Sequence, residues 1–156
     1  MKRMILLAIY LFQINSFGDG YTFQSPLTFI PSAKTVYLVT VTSVVPDKVT
    51  FTVNEVLRGK PVPELGLKPW MGNKYRVGSY WILASDSHGA DNNLVGFEPK
   101  RSCGWIPMSV SRKDGQSFIV AEADWVEGVN LDMASDGTKG LTLEHVRRLL
   151  QQKITK

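Results

Sequence analysis

TVYLVTVTSVV, residues 35–45, decides how this chain is read. The run is dense in β-branched residues, which suit a pleated strand. Its better phase sets Tyr37, Val39, Val41 and Val45 on one face. Pro46-Asp47-Lys48 supplies a turn, and Val49-Thr50-Phe51-Thr52-Val53 then alternates again, with both valines and Phe51 inward. Two alternating runs joined by a short polar turn predict a hairpin.

Outward from that hairpin the chain keeps reading as strands. Leu57-Arg58-Gly59 ends the second strand, and a Pro-rich connection over 59–69 has room for a short strand at 65–68. Tyr80-Trp81-Ile82-Leu83-Ala84 is apolar on both faces, as expected of a central strand. A polar loop, SDSHGADNN, follows over 85–93. Strands are expected at 94–99, 105–110 and 117–123, the last two joined by a tight turn at Asp114-Gly115.

Only the C-terminal stretch changes period. Leu143, Val146, Leu149 and Leu150 recur at helical spacing, with Glu144, Arg147, Arg148 and Gln151 opposite. Thr142 is placed to cap this helix, expected over 142–153, and Leu141 to staple onto Val146. Lys153 and Lys156 suit the negative end of its dipole. The expected class is mainly β: one domain over 35–156, a small antiparallel barrel of five to six strands with one helix packed outside. A sandwich would want more strands.

The first residues read differently. Lys2 and Arg3 precede an apolar run, MILLAIYLF at 4–12, and Ser16-Phe17-Gly18 offers small residues before Asp19. That order is the pattern of a secretory signal peptide, expected over 1–18. The run is too short to span a bilayer, which takes about 20 apolar residues. No Cys follows to carry a lipid anchor, so no stable membrane insertion is expected after cleavage. The expected location is periplasmic or secreted. Residues 19–34, with Pro26 and Pro31, read as an extended lead-in.

Charge and cysteine usage narrow the classes further. Losing Lys2 and Arg3 takes the 18 basic residues to 16, against 14 acidic ones. The basic pairs Lys100-Arg101, Arg112-Lys113 and Arg147-Arg148 are dispersed, whereas nucleic-acid binding favours a clustered face. Nucleic acid is therefore not an expected partner. Cys103 is the single cysteine, so no intramolecular disulfide forms. It reads as a small buried hydrophobe rather than a reactive or intermolecular thiol.

The segments Val41-Thr42-Ser43-Val44, 48–59 (KVTFTVNEVLRG), 75–84 (YRVGSYWILA) and Ser102-Cys103-Gly104 resemble bacterial domains of the tissue-inhibitor-of-metalloproteinases type. The resemblance implies an oligonucleotide/oligosaccharide-binding-like barrel with helices outside, in an exported setting. In the animal inhibitors the mature N-terminus is a Cys whose amine and carbonyl chelate the protease zinc. Here the expected start is Asp19, and the family's disulfides have no counterpart. Metalloprotease inhibition is therefore not implied.

Chemistry-bearing residues are few. Asp86, His88 and Asp91 could hold a hydrated metal ion, but a loop with one His reads more simply as a solvated turn. Asp124, Glu127, Asp132 and Asp136 lack the spacing of a calcium loop. His145 falls in the first helical turn, where a surface role is expected. Glu122 and Asp124, two apart at a strand end, read as solvated rather than as an acid/base couple. G-x-S-x-G, H-E-x-x-H and phosphate-loop motifs are missing. No catalytic residue, cofactor or metal is expected.

Trp81 and Trp105 read as core, whereas Trp70 and Trp125 fall on loops. Each of those two either covers an end of the barrel, the simpler reading, or anchors a binding surface. The candidate partner surface is Trp70, Trp125, Asp86, His88 and Asp91. The expected function is an exported, non-enzymatic domain that binds another exported or envelope protein, as an inhibitor or adaptor. A periplasmic immunity-type protein and a small exported hydrolase, using the 86–91 loop or Glu122/Asp124, are the alternatives. The sequence leaves the oligomeric state open.

Overall fold

Strands β1 (Thr35–Val45) and β2 (Lys48–Arg58) form the expected hairpin in the computed structural model, closed by the two-residue turn Pro46-Asp47. The structure describes residues 25–69, 74–86, 94, 104–126 and 128–152. The signal-peptide reading, Trp70, His88, Asp91, Cys103, Glu127, Lys153, Lys156 and most of the strand expected at 94–99 lie outside them.

The remaining elements are β3 (Glu64–Leu67), β4 (Tyr80–Ser85), β5 (Ile106–Lys113), β6 (Gln116–Val120), β7 (Asp132–Met133), β8 (Lys139–Thr142) and α1 (Leu143–Gln151). All pairings are antiparallel, in the order β3-β2-β1-β4-β5-β6-β8-β7. This corrects the expected barrel: the protein is mainly β, but its eight strands make one open sheet. The outermost strands, β3 and β7, have four and two residues and do not pair with each other. Closing a barrel needs end strands that reach each other with matched tilt and stagger.

A helix does what strand closure would have done. Laid flat, the five spacings from β2 to β8 would measure about 24 Å. The nine residues of α1 rise only about 13 Å, yet α1 touches β2, β6 and β8. The sheet therefore curls toward the helix. Val146 of α1 is fully buried there, with Leu143, Leu149 and Leu150 packed around it, against Leu27, Ile30, Ile82, Met108 and Leu141.

The opposite face carries a second core. Tyr37, Val39, Val41, Val49, Phe51, Trp81 and Leu83 meet Tyr75, Leu94 and Trp105 from the connections. Tyr75 stands edge-on to Phe51 at 5.9 Å and tilts against Trp81 at 4.8 Å, while Tyr37 stacks on Trp105 at 5.4 Å. Two buried faces explain why Trp81-Ile82-Leu83-Ala84 of β4 are all apolar, and β4 is a central strand as expected.

Bulges decide which β2 side chains meet the helix. Leu38 opposes Glu55 while Val39 opposes Val53, so Asn54 is an extra residue. It turns Glu55 to the face of Leu38, which packs with the helix-side core. Leu57 is the extra residue beside it, and Arg58 opposes Val36 on that same face. Arg58 then donates to the carbonyls of Pro31 (2.9 Å), Ala33 (2.7 Å) and Leu150 (2.9 Å). Arg147 of α1 forms a bidentate pair with Glu55 at 2.9 and 2.6 Å. Its hydrogen bonds hold the Glu55 carboxyl below the ordinary value, against the opposing pull of partial burial. An exposed pair is worth about 0–1 kcal/mol, whereas each fully buried apolar side chain contributes roughly 1.5–3 kcal/mol. The apolar face holds α1, and the pair orients it.

The lead-in is also corrected where it is described. Pro26–Thr28 and Ile30–Ser32 coil into two short 3-10 helices instead of running extended. Each has a proline in its first turn, where the fixed φ suits a helix and no N–H is lost. Leu27 and Ile30 thereby turn into the helix-side core.

Candidate functional site

The C-terminal half of the sheet gathers the exposed chemistry. Asp114 and Gly115 both have positive φ, 50° and 77°, the backbone of the tight turn expected from Asp-Gly. Asp114 accepts from the Ser135 N–H and hydroxyl, both at 2.6 Å, and these bonds hold its carboxyl below the ordinary value. Beside it Lys113 pairs with Asp136 at 2.7 Å. The β5–β6 turn is thus tied to the loop between β7 and β8. An open groove of about 380 Å³ lies here, with Phe118, Asp132 and Thr142 among its lining and Lys113, Gln116 and Arg148 around them.

Asp132 and His145 meet beside this groove. Asp132 Oδ2 accepts from Thr142 N–H and from Thr142 Oγ1, both at 2.9 Å, and lies 3.1 Å from His145 Nδ1. Thr142 Oγ1 in turn accepts from His145 N–H at 3.2 Å, the helix cap expected from the sequence. A nucleophilic triad needs its hydroxyl on the imidazole and the imidazole on the carboxylate. Here the hydroxyl proton goes to the carboxylate, so the cluster locks β7 and β8 to the start of α1. Local pattern does not show it because the partners come from three elements, and His145 is half-buried rather than on the surface as expected.

Burial pushes the Asp132 carboxyl up, but the Thr142 and His145 hydrogen bonds outweigh it and leave it lowered. A lowered carboxyl adds stability that is present above the unfolded value near 3.9 and lost as pH falls through the folded one. Asp132→Asn should therefore lower the melting temperature at pH 7. Its melting temperature should also fall less than the parent's between pH 5 and pH 3. Scanning calorimetry at these pH values checks both, and parallel curves for the two proteins would remove Asp132 from the acid response.

The candidate partner surface is only partly on view. Asp86 is exposed at the end of β4. Trp125 is 71% exposed and does not cover the core: Val126 and Val129, bridged to each other and buried, do so on either side of a turn at Gly128. Met133, 72% exposed, pairs across the strands with Lys139, whose Nζ lies 3.5 Å from Asp124, the neighbour of Trp125. Sequence patterning missed Met133 because β7 is two residues long.

The carboxylates of 124–136 go separate ways: Asp124 to Lys139, Asp132 to Thr142 and His145, Asp136 to Lys113 and Thr138. Among the described residues no three His, Cys, Asp or Glu gather as a metal site, and no helix is long and apolar enough to cross a membrane. Glu122 and Asp124 are both exposed. No family model matches this chain, and no curated protein or solved structure does either.

Proposed function

We propose that this protein is an exported, non-enzymatic binding domain, an inhibitor or envelope adaptor that engages another protein through Trp125 and Met133. The carrying observation is the exposure of Trp125 while its neighbours Val126 and Val129 fill the core. Exposed aromatic and methionine side chains are frequent anchors of protein interfaces, and Met133 is linked to the Trp125 segment through its strand partner Lys139. Lys139 and Asp124 supply a charged rim.

A photo-crosslinking residue in place of Trp125 should give a discrete adduct in an envelope extract, lost when Met133→Ser is added. The same residue in place of Asp47 should give none. Trp125→Ser should leave stability within about 0.5 kcal/mol, since the side chain packs on little. Loss of folding in Trp125→Ser, or equal adducts from both positions, would refute the surface.

A further inference from the structure

The central strand is shorter than its neighbours. β4 pairs with β1 over residues 35–40 and with β5 over 106–110. Before Tyr80, Val41 donates to Ser79 O and Gly78 donates to Val41 O. The chain then leaves through the turn at 76–79, where Gly78 has a φ of 85°. β1, however, runs on to Val45 and β5 to Lys113. Among the described residues no backbone hydrogen bond reaches 42–45 or 111–113 from the β4 side. Two strand spacings, about 10 Å, separate β1 from β5 across β4. Where β4 begins, that width is the width of one strand.

The surroundings of this opening say what fits it. Val44, Val45, Val77 and Tyr80 are among the exposed large apolar residues. Val44 opposes Val49 and Val45 opposes Lys48, so they lie on opposite faces of the hairpin. Alternate side chains of an inserted strand would meet apolar groups on both faces. Arg76 in the turn before β4 and Arg112 on β5 are exposed, with no ion pair among the described residues. Of the carboxylates at this end, Asp114 is held by Ser135 and Asp136 by Lys113, and Asp47 stands at the hairpin turn.

We infer that the opening receives an extended, acidic segment of another protein, added in line with β4 between β1 and β5. Unpaired strand edges bind extended backbone through main-chain hydrogen bonds, with neighbouring side chains setting the preference. The two guanidinium groups favour carboxylates on the guest. Neither Trp125 nor Met133 takes part.

The probe is a fluorescent peptide of about six residues, the length of an ordinary strand, alternating valine and glutamate. Fluorescence anisotropy should show binding that weakens at least about tenfold in Arg76→Glu/Arg112→Glu. It should vanish when alternate peptide nitrogens are methylated, and amide resonances of 42–45 and 111–113 should shift. Trp125→Ser should leave the titration unchanged, so failure here and failure of the Trp125 surface are separable. A lysine peptide binding as well as the glutamate one, indifference to methylation, or a concentration-dependent dimer that excludes the peptide would each overturn the inference.

Discussion

Gly140→Ala should destabilise the protein by about 3 kcal/mol or more, the upper range of overpacking. Gly140 sits in β8 opposite Val120, in the middle of the β6–β8–β7 ribbon. A Cβ there would lie 1.9 Å from the Ile119 carbonyl oxygen and 2.7 Å from Phe118 Cε1. The oxygen belongs to a paired strand and cannot step aside without breaking the ladder. Gly66 offers the control, because a Cβ there would meet Lys48 Cε at 2.2 Å. That atom is the far end of a flexible side chain, so Gly66→Ala should cost well under about 1 kcal/mol. Urea denaturation of the two variants compares them directly. An alanine at 140 tolerated as well as one at 66 would show that β6 and β8 are not packed as described.

Arg58→Met should be the next most damaging change, at about 2–4 kcal/mol. It leaves the carbonyls of Pro31, Ala33 and Leu150 without their charged donor while retaining most of the apolar stem. Arg58→Lys should recover less than half of the loss, since an ammonium cannot reproduce a planar fork aimed at separate carbonyls. Glu55→Gln, by contrast, removes only an exposed pair and should cost at most about 1 kcal/mol. Amide exchange of α1 beside the denaturation curves locates the effect: it should accelerate in Arg58→Met and change little in Glu55→Gln. Equal stability of Arg58→Lys and the parent would remove the fork from the account.

Much of the fold is legible in the sequence because much of it is periodic. The β1–β2 hairpin, the central β4, the Asp114-Gly115 turn and the Thr142 cap all follow from local pattern. Closure does not, since register and stagger leave no local trace. β7 and β8 are too short to show alternation, and they raise the strand count to eight. The bulges at Leu57 and Asn54 break the alternation where Glu55 and Arg58 turn to the helix. Both residues therefore read as ordinary strand-end charges. At the candidate site the sequence marks Trp125 as a loop aromatic, and only tertiary structure separates it from Val126 and Val129. Asp132 and His145 are silent for the same reason, being 13 residues apart.

The ties between α1 and β2 also bear on how the chain reaches this state. Arg58 to Leu150 and Glu55 to Arg147 each join residues 92 positions apart. Contacts of such separation carry a large loop-closure cost and form late. The hairpin of β1 and β2 is local and can form early, but its helix-side face stays wet until α1 arrives. A sheet without its docked helix would expose Ile82, Met108 and Leu141 to any neighbour. The helix is thus the cover that keeps this apolar face from other chains, and a variant with weakened α1 docking should aggregate sooner on heating, as light scattering would show.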